Sequence, residues 1–158
     1  MKRTIKLLCM ILLLSCAASC NKYPYDAKSI YGEDAEALYD CSFIILNNID
    51  KAKIGNGESF SLAAIINSPK DIEHIPFDFG VPFDFDKYSL VVGSVVTNGG
   101  NIRVLNQYAT LKGRGVVLHL EIGDNKHIGT CDIAPRYFAA VYPKLPDCIP
   151  EITVKFID

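Results

Sequence analysis

From residue 42 onward, apolar and polar positions alternate over short stretches, and glycine, proline or asparagine interrupts them at frequent intervals. A period of two punctuated by turn residues predicts strands rather than helices. Ser42 to Leu46, ended by Asn47-Asn48, reads as a first strand. Glu58 to Ile66 reads as a second and follows Gly55-Asn56-Gly57, a triplet suited to positive φ, so the two are expected to pair across a long connection. Tyr88 to Thr97, rich in valine and broken by Gly93, is the strongest strand pattern. Asn98-Gly99-Gly100 is a hairpin signal, Asn101 to Leu111 returns, Lys112-Gly113-Arg114-Gly115 turns again, and Val116 to Ile122 follows. Adjacent strands usually pair, so these three predict a meander. Beyond a turn at Gly123 to Lys126, the closing strands are Ile128 to Ile133, Tyr137 to Tyr142 and Ile152 to Ile157. In the last, Ile152, Val154 and Phe156 alternate with Thr153 and Lys155, which predicts one wet face.

Helical signals are few. Glu33 to Tyr39 fits a short turn with Ala35 and Leu38 on one side. The clearest helix start is Ser68-Pro69-Lys70-Asp71. A serine there caps free amides, and proline at the first helical position lacks the N–H that would be orphaned anyway. Ile72 and Ile75 then face inward, and Pro76 ends the helix after about two turns. The tandem Pro76-Phe77-Asp78-Phe79 and Pro82-Phe83-Asp84-Phe85 reads as an extended edge or loop, with phenylalanines on the core and carboxylates toward water. The expected fold class is α+β: a mostly antiparallel β sheet or sandwich with one short helix.

The first 19 residues follow a different pattern. Lys2, Arg3 and Lys6 precede an apolar run from Leu7 to Leu14, and small residues and cysteines follow. That order is a secretion signal. The run is less than half of the roughly twenty apolar residues that cross a bilayer. A cysteine directly after the small residues is the mark of a bacterial lipoprotein, whose thiol is acylated after cleavage. Ala17-Ala18-Ser19-Cys20 has the better length and small residues, which makes Cys20 the expected lipid anchor. Cys16, after Leu13-Leu14-Ser15, is the alternative. The expected organisation is therefore a signal peptide over 1–19, a tether over 20–41 and a β-rich globular domain over 42–158. The expected location is the cell envelope, as an outer-membrane lipoprotein.

Charge narrows the partners. The signal holds three of the 16 Lys+Arg, leaving 13 against 18 Asp+Glu in the mature chain, a net charge of −5. A mildly acidic surface repels phosphate backbones, so no nucleic-acid partner is expected and membrane contact falls to the lipid anchor. Beyond the anchor the mature chain holds Cys41, Cys131 and Cys148. In an oxidising compartment one disulfide fits, and Cys131 with Cys148 is the favoured pair of the three. Three buried thiols are the alternative.

The candidates for chemistry are sparse. His119 and Glu121 share one strand face, opposite Leu118, Leu120 and Ile122, and could act as an acid–base pair. A solvated cross-strand face is the simpler reading. No serine sits in a Gly-x-Ser-x-Gly elbow, and the glycine-rich segments at 98–100 and 112–115 precede no helix, so both read as turns. Asp78, Asp84 and Asp86 could offer oxygen ligands to calcium, but their spacing matches no EF-hand. The three cysteines are not spaced as a zinc site. No catalytic residue, metal or cofactor is therefore assigned.

At Phe83-Asp84-Phe85-Asp86-Lys87-Tyr88-Ser89-Leu90 and at Tyr142-Pro143-Lys144-Leu145 the chain resembles small uncharacterised lipoproteins common in the Bacteroidetes. It is more distantly similar to the C-terminal domain of a protease-complex family, that of the complex's B-type component. The likeness lies in its Asp-Phe lead-in, valine-rich strand and Gly99-Gly100 turn, although that family's aromatic residue after the turn is Asn101 here. The resemblance covers roughly Ser59 to the end and implies a non-catalytic partner or regulator on the envelope. The expected function is a lipid-anchored binding or regulatory module for a protein or glycan ligand. The alternative is an envelope hydrolase with an unrecognised site.

Overall fold

The computed structural model describes residues 25–26, 35–76, 83–98, 102–124 and 133–157. The expected signal peptide, Cys16 and Cys20 lie outside them.

The segment Ser42–Leu46 is helical, which corrects its reading as a strand. It forms the second half of α1 (Ala35–Asn48), a 14-residue helix. Four consecutive apolar residues fit either period, and the choice is made by their neighbours. Cys41, Ile45, Leu46 and Ile49 recur at helical spacing and all four are buried, while Phe43 and Asn47 stand outside. The Asn47-Asn48 pair does end the element. Each side-chain amide folds back and donates to the carbonyl four residues earlier, at 2.7 Å to Phe43 and 2.8 Å to Ile44, so both asparagines bond to the helix's own last turns. The helix runs through residue 42, so packed structure reaches back into the stretch expected to be tether.

The strands are β1 (Tyr25–Asp26), β2 (Gly55–Asn56), β3 (Leu62–Ile66), β4 (Tyr88–Asn98), β5 (Ile102–Lys112), β6 (Gly115–Asp124), β7 (Ile133–Pro143) and β8 (Glu151–Ile157). They form two four-stranded sheets, an inner one ordered β2-β3-β4-β7 and an outer one ordered β1-β5-β6-β8. All pairs are antiparallel except β6 with β8. The expected α+β, sheet-dominated class is the observed one. The expected meander is half right: β5 and β6 form a hairpin, whereas β4 pairs with β3 and β7 and hands the chain to the other sheet after Asn98. The reason is that β4 is apolar on both faces and must lie between two covering layers.

Those layers are α1 and the outer sheet. Leu90 and Val92 of β4, Ala64 and Ile66 of β3 and Val141 of β7 meet the Cys41–Ile49 stripe of α1. Val91 and Val95, with Ala63, Ile65, Phe138 and Ala140, meet Leu118, Leu120, Ile122 and Ile152 of the outer sheet. Of the expected strand Ile128 to Ile133 only Ile133 lies among the described residues, and the expected Tyr137 to Tyr142 falls within β7, which starts at Ile133 and takes in Pro135. Because β7 is an edge strand, the missing N–H of Pro135 is tolerated there.

Glycines set how closely the layers approach. A Cβ at Gly93 would lie 2.1 Å from the Phe138 ring and 2.6 Å from the Leu62 carbonyl oxygen, so the ring occupies the space this glycine leaves. Gly55 and Gly57, expected to make a positive-φ turn, instead let β2 press on the start of β8. A Cβ at Gly57 would sit 2.5 Å from Ile152 Cβ. The positive φ falls on Ser59 (57°) and Phe60 (59°). The Ser68 cap is present as expected, with its Oγ accepting from Lys70 N–H at 3.0 Å, but the helix it opens is one 3₁₀ turn, Pro69–Asp71.

Overpacking a filled core costs about 1–3 kcal/mol. Gly93→Ala should therefore lower the chemical-denaturation stability by about that amount, and Phe138→Leu in the same chain should recover part of it. Equal stability of Gly93→Ala and wild type would mean that the ring does not fill that space.

Candidate functional site

Two polar clusters stand out, one at an end of the inner sheet and one on the outer sheet. In the first, the two motifs that carry the family resemblance meet. Tyr88 pairs with Pro143, and the Lys144 N–H donates to the Lys87 carbonyl at 2.9 Å. Ser89 is fully buried. Its hydroxyl donates to Asn67 Oδ1 at 2.5 Å and accepts from the Leu145 N–H at 2.8 Å. Asn67 Nδ2 closes the ring on the Leu145 carbonyl at 3.2 Å, and Lys144 Nζ donates to the carbonyls of Asn67 and Phe85. Asp71, ion-paired to Lys53, accepts from the Asn67 N–H. Every polar group named is consumed in tying β3, β4 and β7 together where the cores end. These motifs are therefore a latch, which explains their residues without assigning any of them to a ligand.

The second cluster holds His119 and Glu121, on the face of the outer sheet turned away from the core as their alternation predicted. Across β5, β6 and β8 the register sets Tyr108, His119 and Thr153 in one row and Asn106, Glu121 and Lys155 in the next. His119 stacks on Tyr108 with ring centroids 4.6 Å apart. Its Nε2 meets Thr110 Oγ1 at 2.9 Å and its Nδ1 meets Thr153 Oγ1 at 2.8 Å. The Thr153 hydroxyl also reaches the Leu118 carbonyl at 3.3 Å. If it donates there, its oxygen is left to accept, which places the imidazole proton on Nδ1 and makes Nε2 the acceptor from Thr110. Burial against these neighbours holds the imidazole below its ordinary pKa.

Glu121 is engaged elsewhere, accepting from Asn106 Nδ2 at 3.0 Å and facing Lys155 Nζ at 3.6 Å. The pair shares a face, as the sequence indicated, but each member's polar atoms are directed to cross-strand partners rather than to the other. That is the pairing by which neighbouring strands stabilise one another.

Among the remaining candidates, Cys41 is fully buried on the inner face of α1, and burial pushes its thiol up to about 12. A thiol so far from ionisation is no nucleophile near neutral pH. Cys148 is partly buried against the inter-sheet core, and Cys131 lies outside the described residues. Asp84 caps the turn into β4, with Oδ1 accepting from the Asp86 N–H and Oδ2 from Lys87 Nζ at 2.7 Å. The Lys87 ammonium holds its carboxyl below the usual range. Asp78 lies outside the described residues, and among them no three His, Cys, Asp or Glu side chains gather as a metal site. No helix of the described residues is long and apolar enough to cross a membrane.

The latch is hard to find in the sequence because its members, Asn67, Ser89 and Lys144, are far apart along the chain; the only signal is that two of them fall in the resemblance motifs. Comparison with protein-family models, curated proteins and solved structures finds no match to this chain.

Two outcomes follow from these clusters. Asn67→Ala strands the Ser89 hydroxyl and the Leu145 carbonyl, and should cost about 1–3 kcal/mol in urea denaturation. His119 is held below its ordinary pKa of about 6.5, so below that pH the unfolded chain binds the proton more readily than the folded one. Its contribution is complete above pH 6.5 and is lost as pH falls toward the folded value. The urea midpoint of wild type, relative to His119→Gln, should therefore decline between pH 7.5 and 5. A constant difference would rule out the depressed pKa.

Proposed function

We propose that this chain is a lipid-anchored binding or regulatory module of the bacterial cell envelope, held by an acylated Cys20, with Cys16 the alternative, and grouped with the small lipoproteins of the Bacteroidetes. The observation that carries the reading is the N-terminal order of charge, apolar run, small residues and cysteine. Two or three acyl chains, each contributing about 0.8 kcal/mol per buried methylene, give stable attachment where one chain gives only a marginal one.

The body behind the anchor agrees with a binding role. The polar side chains with the best claim to chemistry, His119 and Glu121, are held by Thr110 and Thr153 and by Asn106 and Lys155. A catalytic base needs its acceptor nitrogen within hydrogen-bond reach of a substrate proton, and here Thr110 occupies that position at Nε2. The mature chain's acidity keeps its affinity for polyanions low, which leaves a protein or glycan as the ligand class.

Intact-mass measurement and membrane fractionation test the anchor. Cys20→Ser should abolish the acyl mass increment and move the chain out of the membrane fraction, while Cys16→Ser leaves both unchanged. The reverse pattern would transfer the anchor to Cys16, and an uncleaved, unacylated N-terminus in the cytosol would overturn the proposal.

A further inference from the structure

The chain leaves β2 through Asn56 followed by Gly57. An asparagine before glycine can react with its own main chain, because no Cβ shields the glycine nitrogen. The Gly57 nitrogen attacks Asn56 Cγ, and its proton passes through solvent to the side-chain nitrogen. A C–N bond forms, the side-chain nitrogen leaves as ammonia, and a five-membered imide results. Water then adds to one imide carbonyl and breaks one C–N bond. Breaking the bond to Cγ gives aspartate on an unaltered main chain. Breaking the bond to the main-chain carbonyl carbon gives isoaspartate, whose main chain runs on through Cβ and Cγ. Water is consumed, ammonia is released, and nothing is oxidised or reduced.

The folded chain opposes the first step in three ways. Asn56 pairs with Leu62 in β2, and Gly57 continues extended at φ −116° and ψ −170°. Ring closure needs the Gly57 nitrogen eclipsed with Asn56 Cβ about the Cα–C bond, and an extended backbone holds the two apart. The Gly57 N–H donates to the Ser61 carbonyl at 2.9 Å, so the nitrogen is engaged. Packing adds the third restraint. A Cβ at Gly57 would lie 2.5 Å from Ile152 Cβ, and one at Gly55 would lie 2.2 Å from the Pro150 carbonyl oxygen. The segment between them cannot turn toward the imide geometry without leaving β8.

The same segment has little to hold it in place. β2 is two residues long and pairs with β3 at two positions. The turn after it keeps Ser59 and Phe60 in the left-handed region, which a bulky residue adopts only at a cost. Short, strained elements open locally more often than the body they sit on. Asn56 is exposed, so solvent can supply the water and remove the ammonia. The contact with Ile152 demands glycine at 57, so the packing that protects the reactive pair is also what puts it there.

We propose that Asn56-Gly57 is a self-modification site gated by the docking of β2 on β8. It is silent while the turn is closed and reacts when the turn opens. The isoaspartyl product makes the event permanent, because its main chain is longer by a carbon where a carbon added at Gly57 already collides with Ile152 and Ser61 Oγ. β2 then cannot return to its seat. The aspartyl product keeps its backbone and redocks with an added carboxylate. A chain that has opened at this seam therefore carries a covalent record of the opening.

The test incubates the purified full-length chain in mildly alkaline buffer, with and without urea, and follows deamidation by peptide mapping at Asn56 and at Asn98, which also precedes a glycine. In urea the two should react at similar rates. In native buffer Asn56 should react about tenfold or more slowly than in urea, because its rate follows the population of the opened turn. Gly55→Ala sets a methyl group against the Pro150 carbonyl and leaves the reacting pair intact. It should raise the native rate at Asn56 several-fold without raising that at Asn98. A rise at both would report unfolding of the whole variant, and the wild-type comparison then decides. Equal wild-type rates at Asn56 with and without urea would overturn the proposal, as would a Gly55→Ala chain with native circular dichroism and an unchanged rate. The isoaspartyl fraction should melt at a lower urea concentration than the unmodified chain, and an equal midpoint would refute the permanence of the mark.

Discussion

The fold depends on a strand that is apolar on both sides. β4 buries Leu90 and Val92 on one face and Val91 and Val95 on the other. Each face needs its own cover, because apolar surface left in water costs about 25 cal/mol per Å². One cover is the Cys41 to Ile49 stripe on and just after α1, and the other is the β5-β6-β8 part of the outer sheet. The three layers follow from this requirement. So does the crossing after Asn98, since a chain that has just laid down the middle layer must leave it to build an outer one.

The two polar clusters lie where the covers end or turn outward. The latch of Asn67, Ser89 and Leu145 closes the end of the inner sheet next to Lys144, and the His119 and Glu121 rows complete the outer face of the outer sheet. In both places donors and acceptors are matched within the chain. Apolar side chains stay exposed elsewhere: Phe60, in left-handed backbone with Ser59, stands at the turn between β2 and β3, and Ile133 stands at the start of β7.

Much of the architecture is legible in the residues. The alternation in β6 places His119 and Glu121 on one face, the valine-rich run marks β4, and Ser68-Pro69 marks a capped turn, because each is a short-range preference that the final packing happens to satisfy. Ser42–Leu46 misleads because a short apolar run carries no period of its own, and only the sheet waiting for Cys41, Ile45 and Ile49 selects the helix. The glycines at 55 and 57 mislead for a related reason: a missing Cβ serves tight turns and close approaches equally well, and the neighbour that needs the room, Ile152, is almost a hundred residues away.

The sequence by itself determined the N-terminal order of charge, apolar run and cysteine on which the anchoring proposal stands, the dominance of strands, and the side of β6 on which its histidine would fall. All of these depend on order and period along a few neighbouring residues. The tertiary structure alone decided which sheet each strand joined, that the two resemblance motifs form one latch, and that His119 and Glu121 turn to threonines, an asparagine and a lysine. These depend on contacts between residues distant in the chain, whose energies are set by burial and register rather than by any local pattern.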